Sequence, residues 1–363
     1  MIHVQEITLI CFNKTINVQA DILTPPLAQA FLAQKLESGQ FSSVFVLCDE
    51  MTLQHCLPRL KAEVPGIDQA QVLSMQAGEI HKNIDTCTRL WKELSNGGAE
   101  RNSLLLNLGG GVVTDLGGFV ACTYKRGISF INIPTSLLAM VDASVGGKTG
   151  IDLGVLKNQV GIIQEPEAVL IMPQFLETLP YRHISNGMVE MLKHGLIADK
   201  SHWEQLDLDN CMELSSIEHS IAIKKGVVEK DPTEKGLRKI LNFGHTLGHA
   251  IESYLLNHPE RSALLHGEAI AIGMVLEAYL SHKVCGLSLL DADQIKTRIL
   301  AQYKKVSFSA DEIEVISSLM QHDKKNAHGK LKFSLLKAIG ESVFDQEIPI
   351  EEIPKAFDYY KSA

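Results

Sequence analysis

Short apolar runs that end in polar or glycine residues alternate with stretches of helical length over the first half of the chain. Four such runs stand out: Val44–Asp49, Leu104–Leu108, Ile128–Ile133 and Ala168–Met172. Continuous apolar runs separated in this way are typical of a parallel sheet buried on both faces. We therefore predict a Rossmann-like α/β domain over residues 1–175, with its ligands at the carboxyl ends of the strands.

The pattern changes after Pro173. Segments rich in Leu, Ile, Met and Ala show helical spacing, and strand-like runs become rare. This pattern predicts a mainly α-helical domain over residues 176–363. Because two-domain enzymes commonly bind their ligands between the domains, we expect the functional site in that cleft.

Composition and charge narrow the class of protein. The chain has 363 residues and a formal net charge of −9, which disfavours binding to nucleic acid or to an anionic membrane. Seven cysteines, an odd number without a C-x-x-C pair, indicate a reducing cytoplasm and no disulfide framework. We find no signal peptide and no apolar run long enough to span a membrane. A cytoplasmic protein with a small-molecule ligand is the expectation.

Three consecutive glycines follow the second apolar run, at Gly109, Gly110 and Gly111. Glycines let backbone N–H groups approach a phosphate closely at the start of a helix. The strict G-x-G-x-x-G pattern is absent, because Thr114 takes the place of its third glycine. The segment therefore predicts a dinucleotide or phosphate site, with a simple strand-to-helix turn as the alternative.

A second glycine pair precedes Lys148 and Thr149 and looks like the end of a P-loop. Asp142 stands where the Walker A motif needs its first glycine, which excludes that motif. An acid and a lysine six residues apart remain, and a solvated loop is the alternative interpretation.

Polar residues with helical spacing mark the second half. Arg238, Asn242, His245, His249 and Glu252 follow each other at intervals of 4, 3, 4 and 3. Such intervals place them on one continuous helical face, and the residues between them are largely apolar. We therefore predict a buried functional stripe, since buried polar groups need partners.

Histidines and a carboxylate suggest a metal site. His245 and His266, with one carboxylate, would form an N,N,O site with an open position for a substrate. A zincin motif is excluded because Thr246 replaces its glutamate. Glu190 and Lys193 share a helical face, for which an ordinary surface ion pair is the alternative.

Together these segments resemble the 3-dehydroquinate synthases, a family of sugar phosphate cyclases. The matching stretches lie in the family's order at residues 109–127, 133–152, 156–161, 186–195, 236–252, 265–274 and 323–326, and include NFGHTLGHAIE and LHGE. Thr114 and Gly117 stand where the family usually has Gly and Ala, and residues 231–234 replace its D-E-R-E. The N-terminal hundred residues match more loosely.

The resemblance implies a role for each matching residue. A divalent metal, Zn²⁺ or Co²⁺, would be bound by Glu190, His245 and His266. NAD would be bound by Asp49, Glu79, Lys82, Gly109, Gly110, Gly111, Asp115, Thr135, Ser136, Lys157 and Thr178. The substrate would be surrounded by Arg126, Asp142, Lys148, Asn158, Lys193, Lys224, Arg238, Asn242 and Lys324, with Glu234 and His249 handling protons.

The resemblance also implies a reaction. The family converts 3-deoxy-D-arabino-heptulosonate 7-phosphate to 3-dehydroquinate and phosphate by transient oxidation, elimination, reduction and aldol closure. Three alternatives stay open: a related cyclase for sedoheptulose 7-phosphate, a metal-dependent polyol dehydrogenase, and a catalytically silent sugar-phosphate-binding regulator. We expect a homodimer.

Overall fold

The computed structural model describes residues 20–154, 156–256, 258, 260–323 and 331–362. Six strands form one sheet: β1 (Asp21–Leu23), β2 (Val44–Asp49), β3 (Gln71–Met75), β4 (Leu104–Gly109), β5 (Ser129–Pro134) and β8 (Ala168–Leu170). Their spatial order is β1-β8-β5-β4-β2-β3, and every neighbouring pair is parallel. The predicted parallel α/β sheet is confirmed, and all four apolar runs are strands within it.

Helices connect and flank these strands. In the first half they are α1 (Leu27–Glu37), α2 (Glu50–His55), α3 (Leu57–Glu63), α4 (Ile84–Asn96) and α5 (Gly111–Thr123). In the second half they are α6 (Tyr181–Ala198), α7 (Lys200–Gln205), α8 (Leu214–Lys230), α9 (His245–Leu256), α10 (His266–Val284), α11 (Leu289–Gln302), α12 (Ala310–Asp323) and α13 (Glu352–Lys361). The mainly helical second half is thus confirmed, whereas its division from the first at residue 175 stays a prediction.

Two antiparallel hairpins were not predicted. The first pairs β6 (Lys148–Leu153) with β7 (Leu156–Ile163), and the second pairs β9 (Leu331–Ala338) with β10 (Glu341–Ile348). Lys148 therefore begins a strand, and the interpretation of its segment as a solvated loop is wrong. These strands carry mixed polar and apolar residues, so they lack the continuous apolar runs of the buried parallel sheet.

The two faces of the sheet belong to different cores. Alternate side chains such as Phe45 and Leu105 pack with α4 and α5. The intervening ones, such as Val46 and Leu106, join one continuous core with the helical second half. This alternation follows from the period of two along a strand. The sheet therefore shares its hydrophobic core with the helices that carry the histidines.

The carboxyl ends of β2 and β4 mark the point where the strand order reverses. The chain passes from β2 to β3 on one side and from β4 to β5 on the other. Ligands of open α/β sheets bind at such a switch point. No helix in the described part of the chain is long and apolar enough to cross a membrane.

Candidate active site

The glycine turn joins β4 directly to α5. Gly110 precedes the helix, and no side chain caps its first turn. The N–H groups of that turn are therefore open to an anion, which the helix dipole favours. Thr135 donates its N–H to the carbonyl of Gly109 at 3.0 Å, and Ser136 Oγ lies beside Gly110. The structure thus brings together Gly109, Gly110, Gly111, Thr135 and Ser136.

A cleft opens beside the neighbouring strand ends. It has a volume of about 360 Å³, and its lining includes Glu50, Ser74, Met75 and His81. Asp49, the last residue of β2, accepts a hydrogen bond from the N–H of Thr52 at 2.7 Å and caps α2. The predicted cofactor residue Asp49 therefore stands next to this cleft while it also holds the start of a helix.

A buried lysine connects the glycine turn to the first hairpin. Lys82 Nζ donates to Asp115 Oδ2 and to Asn158 Oδ1, each at 2.6 Å. Burial alone would lower the pKa of Lys82, but the charges of Asp115 and Glu79 raise it. Asp115 and Asn158 were assigned to the cofactor and the substrate respectively, and they share this one cation.

Lys157 extends the network towards the helical half. Its Nζ lies 2.6 Å from Glu252 Oε1 and 3.4 Å from Glu79 Oε1. Glu252 in turn lies 3.3 Å from His266 Nδ1. A continuous chain of polar contacts thus links a predicted cofactor residue to a predicted metal ligand.

Glu190, His245 and His266 converge on one point. Glu190 Oε1 lies 3.6 Å from Nε2 of His245 and 3.6 Å from Nε2 of His266. Ligand atoms of tetrahedral zinc at the usual bond lengths are roughly 3.4 Å apart. Among the described residues, Glu190 Oε1 is buried without a hydrogen-bond partner, as expected of an atom that binds an ion. The donor set fits a divalent metal.

Both histidines are held so that Nε2 faces this point. His245 Nδ1 lies 3.0 Å from the carbonyl oxygen of Phe243, and His266 Nδ1 contacts Glu252. Such outer contacts fix the tautomer and orientation of metal-binding histidines. Burial and the charge of Lys193 lower the pKa of His245 to about 4, which keeps its imidazole neutral and able to bind a cation.

His249 lies close to the same point. Its ring nitrogen belongs to a group with those of His245 and His266 in which all ligand atoms lie within 4.8 Å of one another. Burial holds the pKa of His249 well below 6.5. Geometry alone therefore permits His249 as a ligand in place of Glu190.

A second acidic group surrounds Asp142, in a π-helical turn over Ala139–Ala143. Its Oδ1 accepts a hydrogen bond from Lys224 Nζ at 2.7 Å and lies 3.8 Å from Lys193 Nζ. Lys193 also contacts Glu190. Asp142, Glu190 and His194 are also spaced like metal ligands, but Asp142 is already paired with both Lys224 and Lys193. The group is therefore better suited to an anionic or hydroxyl-rich substrate than to a second cation.

The Glu190–Lys193 pair is not a surface ion pair. Glu190 is 0% exposed and Lys193 is 1% exposed. Burial would raise the pKa of Glu190, but Lys193 and His245 lower it, so the carboxylate stays ionised. The surface interpretation is wrong because α6, which carries both residues, lies inside the core.

Lys148, Glu234 and Asn242 form a third group. Lys148 Nζ contacts Glu234 Oε2, and Asn242 Nδ2 donates to Glu234 Oε1 at 2.7 Å. Burial would raise the pKa of Glu234, but Lys148 and Asn242 lower it. Arg238 lies nearby in sequence and donates to the carbonyls of Pro232 and Gly146 at 2.7 and 2.9 Å.

The predicted continuous helical stripe is interrupted. Arg238 and Asn242 lie in a 3₁₀ helix, Leu237–Asn242, and α9 starts afresh at His245. Gly244 separates the two with φ +80°, and a Cβ there would lie 2.5 Å from Met274 Cγ. The prediction of one helical face was wrong because the crossing of α10 forces this break. Asn242 consequently pairs with Glu234, while His245 turns to Glu190.

The contacts of the described residues do not bring three further predicted residues into the site. Arg126 is exposed and precedes β5, at the end of the sheet opposite to Gly109 and Thr135. Thr178 ends a 3₁₀ helix, and its hydroxyl donates to Phe175 O at 3.4 Å. Lys324 lies outside the residues that the structure describes.

The sequence assigns no cofactor, metal or substrate role to two residues that have contacts in the site. Glu252 belongs to the predicted functional stripe, and its spacing of three from His249 is the signal for it. His194 follows Lys193, and its Nε2 lies 3.6 Å from Asp142 Oδ1 while Nδ1 lies 2.7 Å from Ser220 Oγ. No pattern in the sequence distinguishes His194 from an ordinary core histidine.

Comparison with protein families gives two adjoining matches. Residues 72–186 match the model described as 3-dehydroquinate synthase N-terminal, and residues 187–326 match 3-dehydroquinate synthase C-terminal. A 3-dehydroquinate synthase of Parabacteroides distasonis is 43% identical over 334 residues, which cover 90% of this chain and 94% of that protein. One from Campylobacter concisus is 39% identical and covers 81% and 85%.

Comparison with solved structures shows that the fold of this chain is similar to that of other sugar phosphate cyclases. A 2-epi-5-epi-valiolone synthase from Streptomyces hygroscopicus with NAD⁺ and Zn²⁺ bound has a TM-score of 0.81 at 26% identity, covering 95% of this chain and 97% of that one. A 2-deoxy-scyllo-inosose synthase complexed with carbaglucose-6-phosphate, NAD⁺ and Co²⁺ has a TM-score of 0.77 at 25% identity, covering 90% and 94%. An iron-containing alcohol dehydrogenase shares the fold at 12% identity and a TM-score of 0.66.

Proposed function

The chain belongs to the 3-dehydroquinate synthase family, and we propose that it converts 3-deoxy-D-arabino-heptulosonate 7-phosphate to 3-dehydroquinate and phosphate. This phosphate-eliminating cyclisation is a step of the shikimate pathway, which leads to the aromatic amino acids. The observation that carries the proposal is the convergence of Glu190, His245 and His266 beside a cluster of buried cations.

NAD would be held at the switch point of the sheet. Gly109–Gly111 and the open first turn of α5 would take its pyrophosphate, and Thr135 and Ser136 lie beside them. Asp49 borders the cleft proposed for the adenosine end. The ion-pair network proposed to line the site consists of Lys82, Asp115, Glu79 and Lys157. Thr178 is proposed to contact NAD on the family resemblance alone.

Glu190, His245 and His266 would hold Zn²⁺ or Co²⁺. When bound, NAD accepts and returns a hydride, and the metal polarises a substrate hydroxyl and carbonyl. Glu252 would orient His266 through Nδ1 and tie it to Lys157. Three protein ligands leave coordination positions open for substrate oxygens.

The cationic residues would bind the anionic groups of the substrate. Lys148, Lys193, Lys224 and Arg238 surround Asp142 and Glu234. Lysine and arginine form charge-assisted hydrogen bonds to phosphate and carboxylate. This concentration of positive charge favours a doubly anionic sugar phosphate over the uncharged substrate of a polyol dehydrogenase. Asn158 and Asn242 would add amide hydrogen bonds.

Glu234 and His249 would move protons. Lys148 lowers the pKa of Glu234, so an anionic substrate group that takes Lys148 makes Glu234 Oε2 a stronger base. His249 is neutral near pH 7 because burial lowers its pKa, and its imidazole is then able to accept a proton. The catalytic groups present also disfavour a silent binding protein.

A homodimer follows from the same proposal. Arg126 lies at the far end of the sheet from the site, so it contacts substrate only when a second copy of the chain supplies it.

We also propose a cytoplasmic location, with which the free thiols of Cys48, Cys56, Cys87, Cys122, Cys211 and Cys285 agree.

The decisive experiment combines the protein with NAD⁺, Zn²⁺ and the heptulosonate phosphate. We expect phosphate release without accumulation of NADH, because oxidation and reduction occur in one site. Equimolar NADH and ketone would instead identify a polyol dehydrogenase. The same assay with sedoheptulose 7-phosphate tests the alternative cyclase, and turnover of that substrate alone would overturn the assignment.

A further inference from the structure

A buried glutamate lies outside the groups described so far. Glu277 is 0% exposed and sits in the fourth turn of α10, within an otherwise apolar stretch. Its Oε2 accepts a hydrogen bond from the N–H of Gly244 at 2.6 Å, and its Oε1 accepts one from the N–H of Leu247 at 3.0 Å. Glu277 therefore caps the start of α9 from a neighbouring helix.

This cap replaces one that the local sequence does not provide. A helix start normally uses a Ser, Thr, Asp or Asn immediately before it, but Gly244 occupies that position. A residue with a side chain cannot replace Gly244, because its Cβ would clash with Met274 and the φ angle at this position is +80°. Gly273 contributes to the same close crossing, since a Cβ there would strike the carbonyl oxygen of Gly244. The tight contact brings Glu277 within reach of the helix start.

The residue that Glu277 places is a proposed metal ligand. His245 is the first residue of α9, between the two N–H groups that Glu277 binds. Helix α10 also starts with a ligand, His266. One helix thus carries one histidine directly and holds the other through Glu277.

Charge gives Glu277 a second effect. The start of a helix carries a partial positive charge of roughly half an elementary unit, which opposes a cation held by its first residue. A buried carboxylate at that end of the helix reduces the repulsion between the helix dipole and the cation. Gln at this position keeps the length of the side chain but loses the charge and one of the two acceptors, because its NH₂ group cannot accept a backbone N–H bond.

We propose that Glu277 is a positioning residue of the metal site, which fixes His245 and compensates the helix charge beside the bound cation. The proposal rests on the ligand set Glu190, His245 and His266 given above. Outer residues of metal sites typically change metal affinity 10- to 100-fold when they are substituted. We expect a loss of that size in Glu277→Gln.

Ser281 provides a matched control. It lies one turn further along α10 and is also fully buried. Its hydroxyl donates to the backbone carbonyl of Glu277 at 2.6 Å and accepts a hydrogen bond from the N–H of Leu336 in β9 at 3.0 Å. Ser281→Ala therefore removes two buried hydrogen bonds from the same helix but none of those between the Glu277 carboxylate and α9. If Glu277→Gln only weakened the packing of the core, its metal binding would change to the same extent as that of Ser281→Ala.

The measurement is Zn²⁺ and Co²⁺ affinity by chelator competition, together with the absorption spectrum of the Co²⁺-loaded protein and the free energy of unfolding without metal. We expect weaker metal binding and an altered Co²⁺ spectrum in Glu277→Gln, and wild-type values of both in Ser281→Ala. Wild-type affinity and spectrum in Glu277→Gln, or equal losses in both variants, would overturn the proposal.

Two further variants keep the result interpretable. Glu277→Asp shortens the side chain and serves if Glu277→Gln does not fold; we expect a shifted Co²⁺ spectrum, and an unchanged one would overturn the positioning role. His245→Ala tests the ligand set itself. If it retains its metal, the ligand assignment is wrong independently of Glu277.

Discussion

His245 and His249 lie one helical turn apart on α9 but have different polar surroundings. His245 is fixed through Nδ1 to a backbone carbonyl and faces Glu190, whereas the contacts of His249 include the rings of both neighbouring histidines. Two residues on one helix face therefore need not have the same role. Substitution of each histidine distinguishes a metal ligand from a residue that transfers protons.

We expect His249→Ala to keep its zinc and lose most of its activity, because Glu190, His245 and His266 suffice to bind the ion. His245→Ala should lose both zinc and activity. Metal content of the purified variants, measured beside phosphate release, checks this. Zinc lost from His249→Ala but retained by His266→Ala would replace our ligand set with a different one.

His202 is a buried histidine that is not among the residues proposed to bind metal, cofactor or substrate. It is 3% exposed, and its Nε2 is without a hydrogen-bond partner in the described part of the chain. Burial and the nearby His219 lower the pKa of His202 from 6.5 to about 4. The unfolded chain therefore binds a proton before the folded one does, and stability falls as the pH decreases from about 6.5 to about 4.

We expect His202 alone to remove about 2 kcal/mol of stability between pH 8 and pH 5. Urea unfolding of His202→Gln should show a correspondingly smaller difference between these two pH values than the wild type. His55→Gln, at an exposed histidine, is the control and should keep the wild-type difference. If His202→Gln has the same pH dependence of stability as the wild type, His202 does not contribute to the loss of stability at low pH.

At the scale of elements, the contact between β4 and α5 explains a departure from the family pattern. Gly117 stands where the family usually has Ala. A Cβ at Gly117 would strike Asn107 Oδ1, and Asn107 Nδ2 donates to Asn132 Oδ1 at 2.9 Å across the sheet. A buried amide pair on the strands thus requires glycine on the helix, and Gly117 is a packing residue.

Gly117→Ala should destabilise the protein by about 1–3 kcal/mol, the usual cost of overpacking a core. Asn107→Ser removes the obstructing amide, so the two substitutions together should cost less than the sum of their separate effects. Chemical denaturation in a double-mutant cycle measures this coupling. Additive effects would mean that Asn107 is not the obstacle.

At the scale of the whole molecule, the proposed cofactor and metal residues come from different halves of the chain. The glycine turn belongs to the parallel sheet and the histidines to α9 and α10, and the contact of Lys157 with Glu252 bridges the first hairpin and α9. Ligands that contact both halves stabilise whichever arrangement brings the halves closest.

We therefore expect NAD, metal and a substrate analogue together to reduce the radius of gyration in small-angle X-ray scattering. His245→Ala with the same ligands is the control and should stay at the unliganded value, because the metal no longer links the halves. Identical scattering of the wild type with and without all ligands would count against closure.

Local sequence patterns were sufficient to predict the parallel strands, the glycine turn and two histidines as candidate metal ligands, whereas Glu190 as the carboxylate ligand came from the family motifs. These features depend on local patterns: a buried strand needs a continuous apolar run, a tight turn before a helix needs glycine, and ligand types are limited by chemistry. The family motifs added the expected roles of residues such as Lys148, Lys224 and Glu234.

The grouping of these residues, in contrast, depends on how the helices and the sheet pack in three dimensions. The helical stripe breaks at Gly244 because α10 crosses there, Glu190 is buried because α6 lies in the core, and Arg126 stays at the far end of the sheet. The role proposed for Glu277 depends on its contact with α9, which the apolar sequence around it does not indicate. Such outcomes depend on contacts between segments distant in sequence, which periodicity and spacing along the chain do not encode.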